Sequence, residues 1–283
     1  MRKLSFGLTD HAAILLPDAR VLWLFGLLWL FIVAAPGAHA QTERPYSITE
    51  EREVCSDHAP LRRPLFGDTH VHTAYSFDAS IQDTRNKPRD AYRFARGEEM
   101  GIQPYDENGM ALRRIQIDRP LDWAVVSDHA ELLGEVNVCG TAGTWSYWHP
   151  VCLLKRHVPT LAILAFGFKT LVDRERYEGI CGEDGERCIA GARDFWDSIQ
   201  VAAEEAYDRT DSCEFTSFVG YEWTASVGEG QNLHRNVIFR NEKVPSLPVS
   251  WVDTPSAVDL WNHLDSIFEL YSFNHLCELI KAS

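Results

Sequence analysis

Phe66-Gly67-Asp68-Thr69-His70-Val71-His72-Thr73 sets two histidines two residues apart behind a short apolar lead-in, Leu65 and Phe66. A strand has a side-chain period of two, so His70 and His72 point to one face. Two imidazoles side by side at a strand end supply half of a metal site. Alone, the pair reads more readily as ordinary surface or core histidines. Three further segments, each also reading as a strand with an ionisable ligand type at one end, tip the balance.

Residues 121–129, Leu-Asp-Trp-Ala-Val-Val-Ser-Asp-His, form a short apolar run rich in strand formers. The run ends in Ser127-Asp128-His129, polar residues where a buried strand leaves the core. Residues 215–223 repeat the pattern, with Glu222 near the far end. In residues 232–239, His234 stands at a strand beginning. Barrels and open α/β sheets gather functional residues at the carboxyl ends of strands. Several histidines with one glutamate suit a dinuclear hydrolytic centre better than a structural zinc site, which favours cysteine ligands at close spacing.

Between these strands the sequence predicts helices over residues 88–96, 160–171 and 190–207, and another from Thr254-Pro255 to about Phe268. Residues 114–117 alternate like a strand, and residues 74–86 read as a loop containing Ser76 and Asp78. Residues 135–188 read as a helical insertion carried on the domain, either a lid over the site or packing on its outside. The alternation of strands and helices argues an α/β fold.

The first 40 residues read as an export signal. Arg2, Lys3 and Arg20 precede the apolar stretch 21–35, and Ala38-His39-Ala40 offers small residues for cleavage. That stretch is short for a bilayer span of roughly 20 residues, so no stable membrane association is expected after cleavage. Residues 41–64 then form an extended lead-in, and the expected compartment is the periplasm or the exterior. The chain carries a net charge of −14, which disfavours binding to a phosphate backbone and makes nucleic acid a poor partner. Seven cysteines occur. Cys181 with Cys188 and Cys139 with Cys152 bracket short loops and are expected to pair in an oxidising compartment. Pairing of Cys55 with Cys213 stays open at this point, and the odd count leaves one thiol over.

Four segments in order, GDTHVHTAYSFDA, PRDAYRFARGE, RPLDWAVVSDHAELLG and FVGYEW followed by NLHRNVIFR, resemble the motifs of the PHP (polymerase and histidinol phosphatase) superfamily of metal-dependent phosphoesterases. More closely they resemble a secreted family within it, classed as a domain of unknown function. The resemblance runs over roughly residues 65–240. It implies a distorted (β/α) barrel in residues 65–283. His70, His72, His129, Glu222 and His234 would hold two or three divalent metal ions: zinc, manganese or iron. Asp68 and Asp78 match acidic positions near the site. Asp78, Asp128 and Glu131 are the catalytic candidates, Glu131 being a proton shuttle or, more in keeping with its position, the charge at a helix N-terminus. The implied activity is hydrolysis of a small phosphate or related ester by a metal-activated water. His58, His149, His157, His263 and His275 match no motif and read as ordinary residues.

The superfamily pattern continues with a further His and a late Asp-x-His; after Arg240 only His263 and His275 occur, both in poor context, and there is no Asp-x-His. The resemblance therefore leads to the expectation of a barrel incomplete at its C-terminal end and a weakened site. Two rival readings follow. An amidohydrolase also begins with H-x-H on a barrel strand, but needs a metal-bridging lysine where Glu222 stands. The other is a non-catalytic extracellular binding module with a degenerate metal site.

Overall fold

The computed structural model describes residues 52–57, 61, 63–228 and 231–271. The expected leader, residues 1–40, lies outside them, as do His58, His275 and Cys277. In chain order the first elements are β1 (Gly67–Val71), α1 (Phe77–Ile81), α2 (Pro88–Ala95), β2 (Met100–Tyr105), β3 (Ala111–Ile115) and β4 (Trp123–Val126). A helical stretch follows: α3 (Leu133–Gly140), α4 (Trp145–Trp148), α5 (Pro150–His157), α6 (Pro159–Gly167), a π-helical turn (Phe168–Val172) and α7 (Glu178–Cys181). The last are α8 (Glu186–Ala206), β5 (Thr216–Gly228), β6 (Gln231–Phe239) and α9 (Ala257–Tyr271).

The site rests on a curled four-stranded sheet in the order β1-β4-β5-β6. β1, β4 and β5 run parallel, with Trp123 registered on Thr216 and Val126 on Val219. Ala124, Val125 and Val126 are all buried, the continuous apolar run of a parallel strand covered on both faces. β6 departs from the all-parallel barrel that the resemblance implies. It pairs antiparallel with β5, Glu222 opposite Asn236 and Thr224 opposite His234. The reason is the connection: a parallel return needs a crossover of a dozen or more residues, and only two separate these strands. Among the described residues the sheet has two free ends and does not close. β2 and β3 form a separate antiparallel pair.

Helix α8 packs on this sheet through a stripe at helical spacing: Trp196, Ile199, Ala202, Ala203 and Ala206. Trp196 is fully buried, its ring edge-on to Tyr221 and its indole N–H donating to the Pro245 carbonyl at 2.8 Å. With Tyr92, Phe215, Trp223, Phe239, Leu260 and Leu264 it makes the main core. Each such side chain contributes about 1.5–3 kcal/mol on burial.

The helical stretch holds a second apolar cluster, containing Val151, Phe166, Ile180 and both short disulfides, Cys139–Cys152 and Cys181–Cys188. Helices α3 and α8 approach so closely that a Cβ on Gly134 would lie 1.9 Å from the Cys188 carbonyl oxygen. Cys55–Cys213 is also bonded, joining the lead-in to the loop before β5 across 158 residues. None of the helices among the described residues is long and apolar enough to cross a membrane.

Candidate metal centre

Four histidines converge on one carboxylate. β1 ends at Val71, and its alternation turns His70 and His72 toward β5. β4 ends at Val126, but the chain stays on β5 for three more residues. The Glu222 amide donates to the Asp128 carbonyl at 3.0 Å, and the Ala130 amide to the Glu222 carbonyl at 2.9 Å. This isolated parallel bridge sets His129 beside Glu222. β5 outruns both neighbours, so Glu222 stands in mid-strand rather than at the strand end expected from sequence. The antiparallel return of β6 brings His234 to the same place.

Glu222 is fully buried, and its Oε2 meets His70 Nε2 at 2.9 Å, His72 Nε2 at 2.7 Å and His129 Nε2 at 3.7 Å. Its Oε1 contacts His234 Nδ1. The cluster has a covered edge and an open one. His72 and His129 are 15% and 16% exposed, His70 and His234 51% and 48%. Three sets place one donor atom per residue within 4.8 Å of each other: His70, His72 and Glu222; His72, Asp78 and His129; His129, Glu222 and His234. These residues can hold a metal ion. Glu135, Cys181 and Cys188 also lie close, but both sulfurs are in a disulfide and Glu135 pairs with Arg176.

Asp78 belongs to the centre. It sits on α1, inside the segment read as a loop, accepts from the Ser76 hydroxyl at 2.6 Å and meets His72 Nδ1 at 2.9 Å. Asp68 instead accepts the His70 amide at 2.9 Å. Asp128 is buried and turned to Thr73, accepting from its hydroxyl at 2.7 Å and from its amide. It holds the turn after β1 and does not join the three donor sets. Glu131 immediately precedes Leu132, the N-cap of α3, which begins at Leu133. Its buried carboxylate turns inward and accepts the amides of Thr224 at 2.9 Å and Trp251 at 3.1 Å, two backbone donors that need a partner. His149 caps α5, while His157 and His263 are exposed.

Thr224 is the residue that the sequence reading missed. Its hydroxyl lies 3.0 Å from Glu222 Oε1, 3.1 Å from His129 Nδ1 and 3.0 Å from His234 Nδ1. The signal was its place two residues after Glu222, on the same face of a strand.

Within the donor set the carboxylates and imidazoles shift one another's titration. Burial opposes a charge on His72, yet hydrogen bonds to Asp78 and Glu222, and their negative charges, push its pKa up to about 10. Burial likewise works against ionised Glu222, and the surrounding imidazoles outweigh it, holding the carboxyl down at about 2. Asp78 is held well below the ordinary carboxylate range against its burial, chiefly by His72. Two clefts among the described residues, one lined by Glu204, Arg209 and Ser217, the other by Arg176, Asp253 and His263, do not contain the histidine cluster.

A family model described as "Protein of unknown function (DUF3604)" matches residues 59–277. No curated protein and no solved structure matches the chain.

Proposed function

The chain belongs to the DUF3604 family, and from the site we propose that it is a divalent-metal-dependent hydrolase of small phosphate or related esters, exported to the periplasm or the exterior. The observation that carries this reading is the fully buried Glu222 carboxylate ringed by four imidazoles, open to solvent at His70 and His234. His70, His72 and Glu222 would hold one cation, and His129, Glu222 and His234 a second. The remaining set, His72, Asp78 and His129, reuses rings already committed to these two cations, so Asp78 serves His72 instead. Zinc, manganese and iron all accept such a mixture of imidazole and carboxylate. Bound there, the cations supply Lewis acidity, lowering the pKa of water and polarising an ester oxygen.

The protein's own part is to hold and orient. Glu222 brings the negative charge that gathers the cations. Asp78 fixes the His72 ring from its far nitrogen, the arrangement by which carboxylates orient metal-binding imidazoles. The covered edge keeps water from His72 and His129, so substrate enters across His70 and His234. The likeness of the four motifs to PHP phosphoesterases favours an ester of phosphate over an amide. The three disulfides and the export-like leader support the compartment.

The test is purified protein loaded with zinc or manganese and assayed on a generic phosphodiester and phosphomonoester. Turnover that disappears in His70→Ala is the expected result. A non-catalytic metal-holding module is the second reading, favoured by the position of the cluster outside the clefts at Arg209 and at Arg176. Tight metal binding without turnover of any ester would select it.

A further inference from the structure

We infer that Glu131 is a positioning residue of the metal centre, whose carboxylate keeps the hydrogen of His129 on Nδ1 and leaves the Nε2 lone pair facing Glu222. This rests on reading the cluster as a metal site. Glu131 is 3% exposed. Its Oε1 is engaged by the amides of Thr224 and Trp251. Its Oε2 is buried with no hydrogen-bond partner among the described residues and lies 3.5 Å from His129 Nδ1, an ion-pair distance. A buried carboxylate oxygen without a donor is rare and calls for an explanation. The ring nitrogen it faces supplies one.

Thr224 closes the argument. Its Oγ1 lies 3.1 Å from the same Nδ1, 3.0 Å from His234 Nδ1 and 3.0 Å from Glu222 Oε1, and we assign its one hydrogen to the carboxylate, which can only accept. The threonine therefore offers the ring a lone pair. Between two acceptors, Nδ1 must be the donor. A neutral imidazole that donates from Nδ1 carries its lone pair on Nε2, and Nε2 is the nitrogen on the Glu222 side, 3.7 Å from Oε2. Glu131 cannot shuttle protons to the open edge, because two backbone amides hold it inside the fold.

The test uses Glu131→Gln. The glutamine keeps an oxygen for the two amides, so the fold is retained, but presents an amide N–H to His129. The hydrogen must then move to Nε2, and the lone pair is lost to the metal. Nitrogen-15 spectra of neutral His129 in metal-free protein should show the hydrogen on Nδ1 in the wild type and on Nε2 in the variant. Zinc affinity should fall about 10–100-fold in the variant with an unchanged melting temperature. A wild-type hydrogen on Nε2 overturns the inference, even if the variant fails to fold. Unchanged zinc affinity in a folded variant overturns it too. The expected pair of spectra with no zinc, manganese or iron bound by the wild type would leave the positioning intact and remove the functional reading instead.

Discussion

Metal binding should expel protons. In the metal-free protein His72 holds a proton against its burial because Asp78 and Glu222 flank its two ring nitrogens, raising its pKa to about 10. An imidazole must be neutral to ligate, so each cation that takes His72 displaces that proton. At pH 7–9 the ring is protonated, and one proton released per cation steepens apparent affinity about tenfold per pH unit, or about 100-fold across that range. The perturbation is therefore pH itself. The assay is calorimetric titration of zinc into chelator-treated protein in buffers of different ionisation enthalpy. Heats that are independent of buffer, or an affinity flat between pH 7 and 9, would refute the reasoning. The same shifts fix the sign of the stability profile without metal. The raised pKa of His72 contributes stability that is complete below its ordinary 6.5 and lost as pH rises through about 10. The lowered pKa of Glu222 contributes stability present above its ordinary 4.5 and lost as pH falls toward about 2. Chelator-treated protein should melt highest between these limits and lower on either side.

Glu222→Gln leaves charged His72 facing a neutral amide in a covered site, and should destabilise metal-free protein near pH 6 by about 3 kcal/mol; an unchanged denaturation midpoint would contradict the charge assignment. Removing Cys55–Cys213 by a double serine substitution opens a 158-residue loop and should lower stability by about 5 kcal/mol on chain-entropy grounds. Removing Cys181–Cys188, separated by 7 residues, should lower it by only about 2.4 kcal/mol. Urea titrations of the two variants give the ranking directly, and the reverse order would count against the entropic account. Gly134→Ala forces a methyl group into the backbone of α8 and should lower stability by about 3 kcal/mol, whereas an unchanged melting point would mean that α3 and α8 separate freely.

The strands that matter were legible because each carries a plain pattern. The apolar run before Ser127 has the composition of a buried strand, and H-x-H has the period of one. Helix α8 was legible from its stripe, though it starts at Glu186 rather than residue 190. The two short disulfides follow from loop length, and both are formed. Strand β2 was not seen, because Met100–Tyr105 contains glycine and proline and lacks alternation. β3 was foreseen only over 114–117, where it spans Ala111–Ile115. The mid-strand place of Glu222 was hidden for a different reason. It depends on β5 being longer than its neighbours, and strand length relative to neighbours is a tertiary property. The inward turn of Glu131 answers two amides, one of them 120 residues away, and no local pattern reports such a partner.

Trp251 joins two parts of this molecule that the sequence keeps far apart. Its amide donates to Glu131, its indole N–H to the Leu171 carbonyl at 3.1 Å at the end of the π-helical turn, and its own carbonyl accepts from Arg174 Nε at 3.1 Å. The helical stretch is thus anchored one residue contact away from the carboxylate beside His129. For anyone grafting a tag or a fluorophore, the two ends of that stretch are not equivalent. The exposed turn at 141–144, with Gly143 at φ +83°, offers a place where an added loop is carried outside the fold. An addition at 171–174 would pull on Trp251 and be transmitted to the imidazole at the centre.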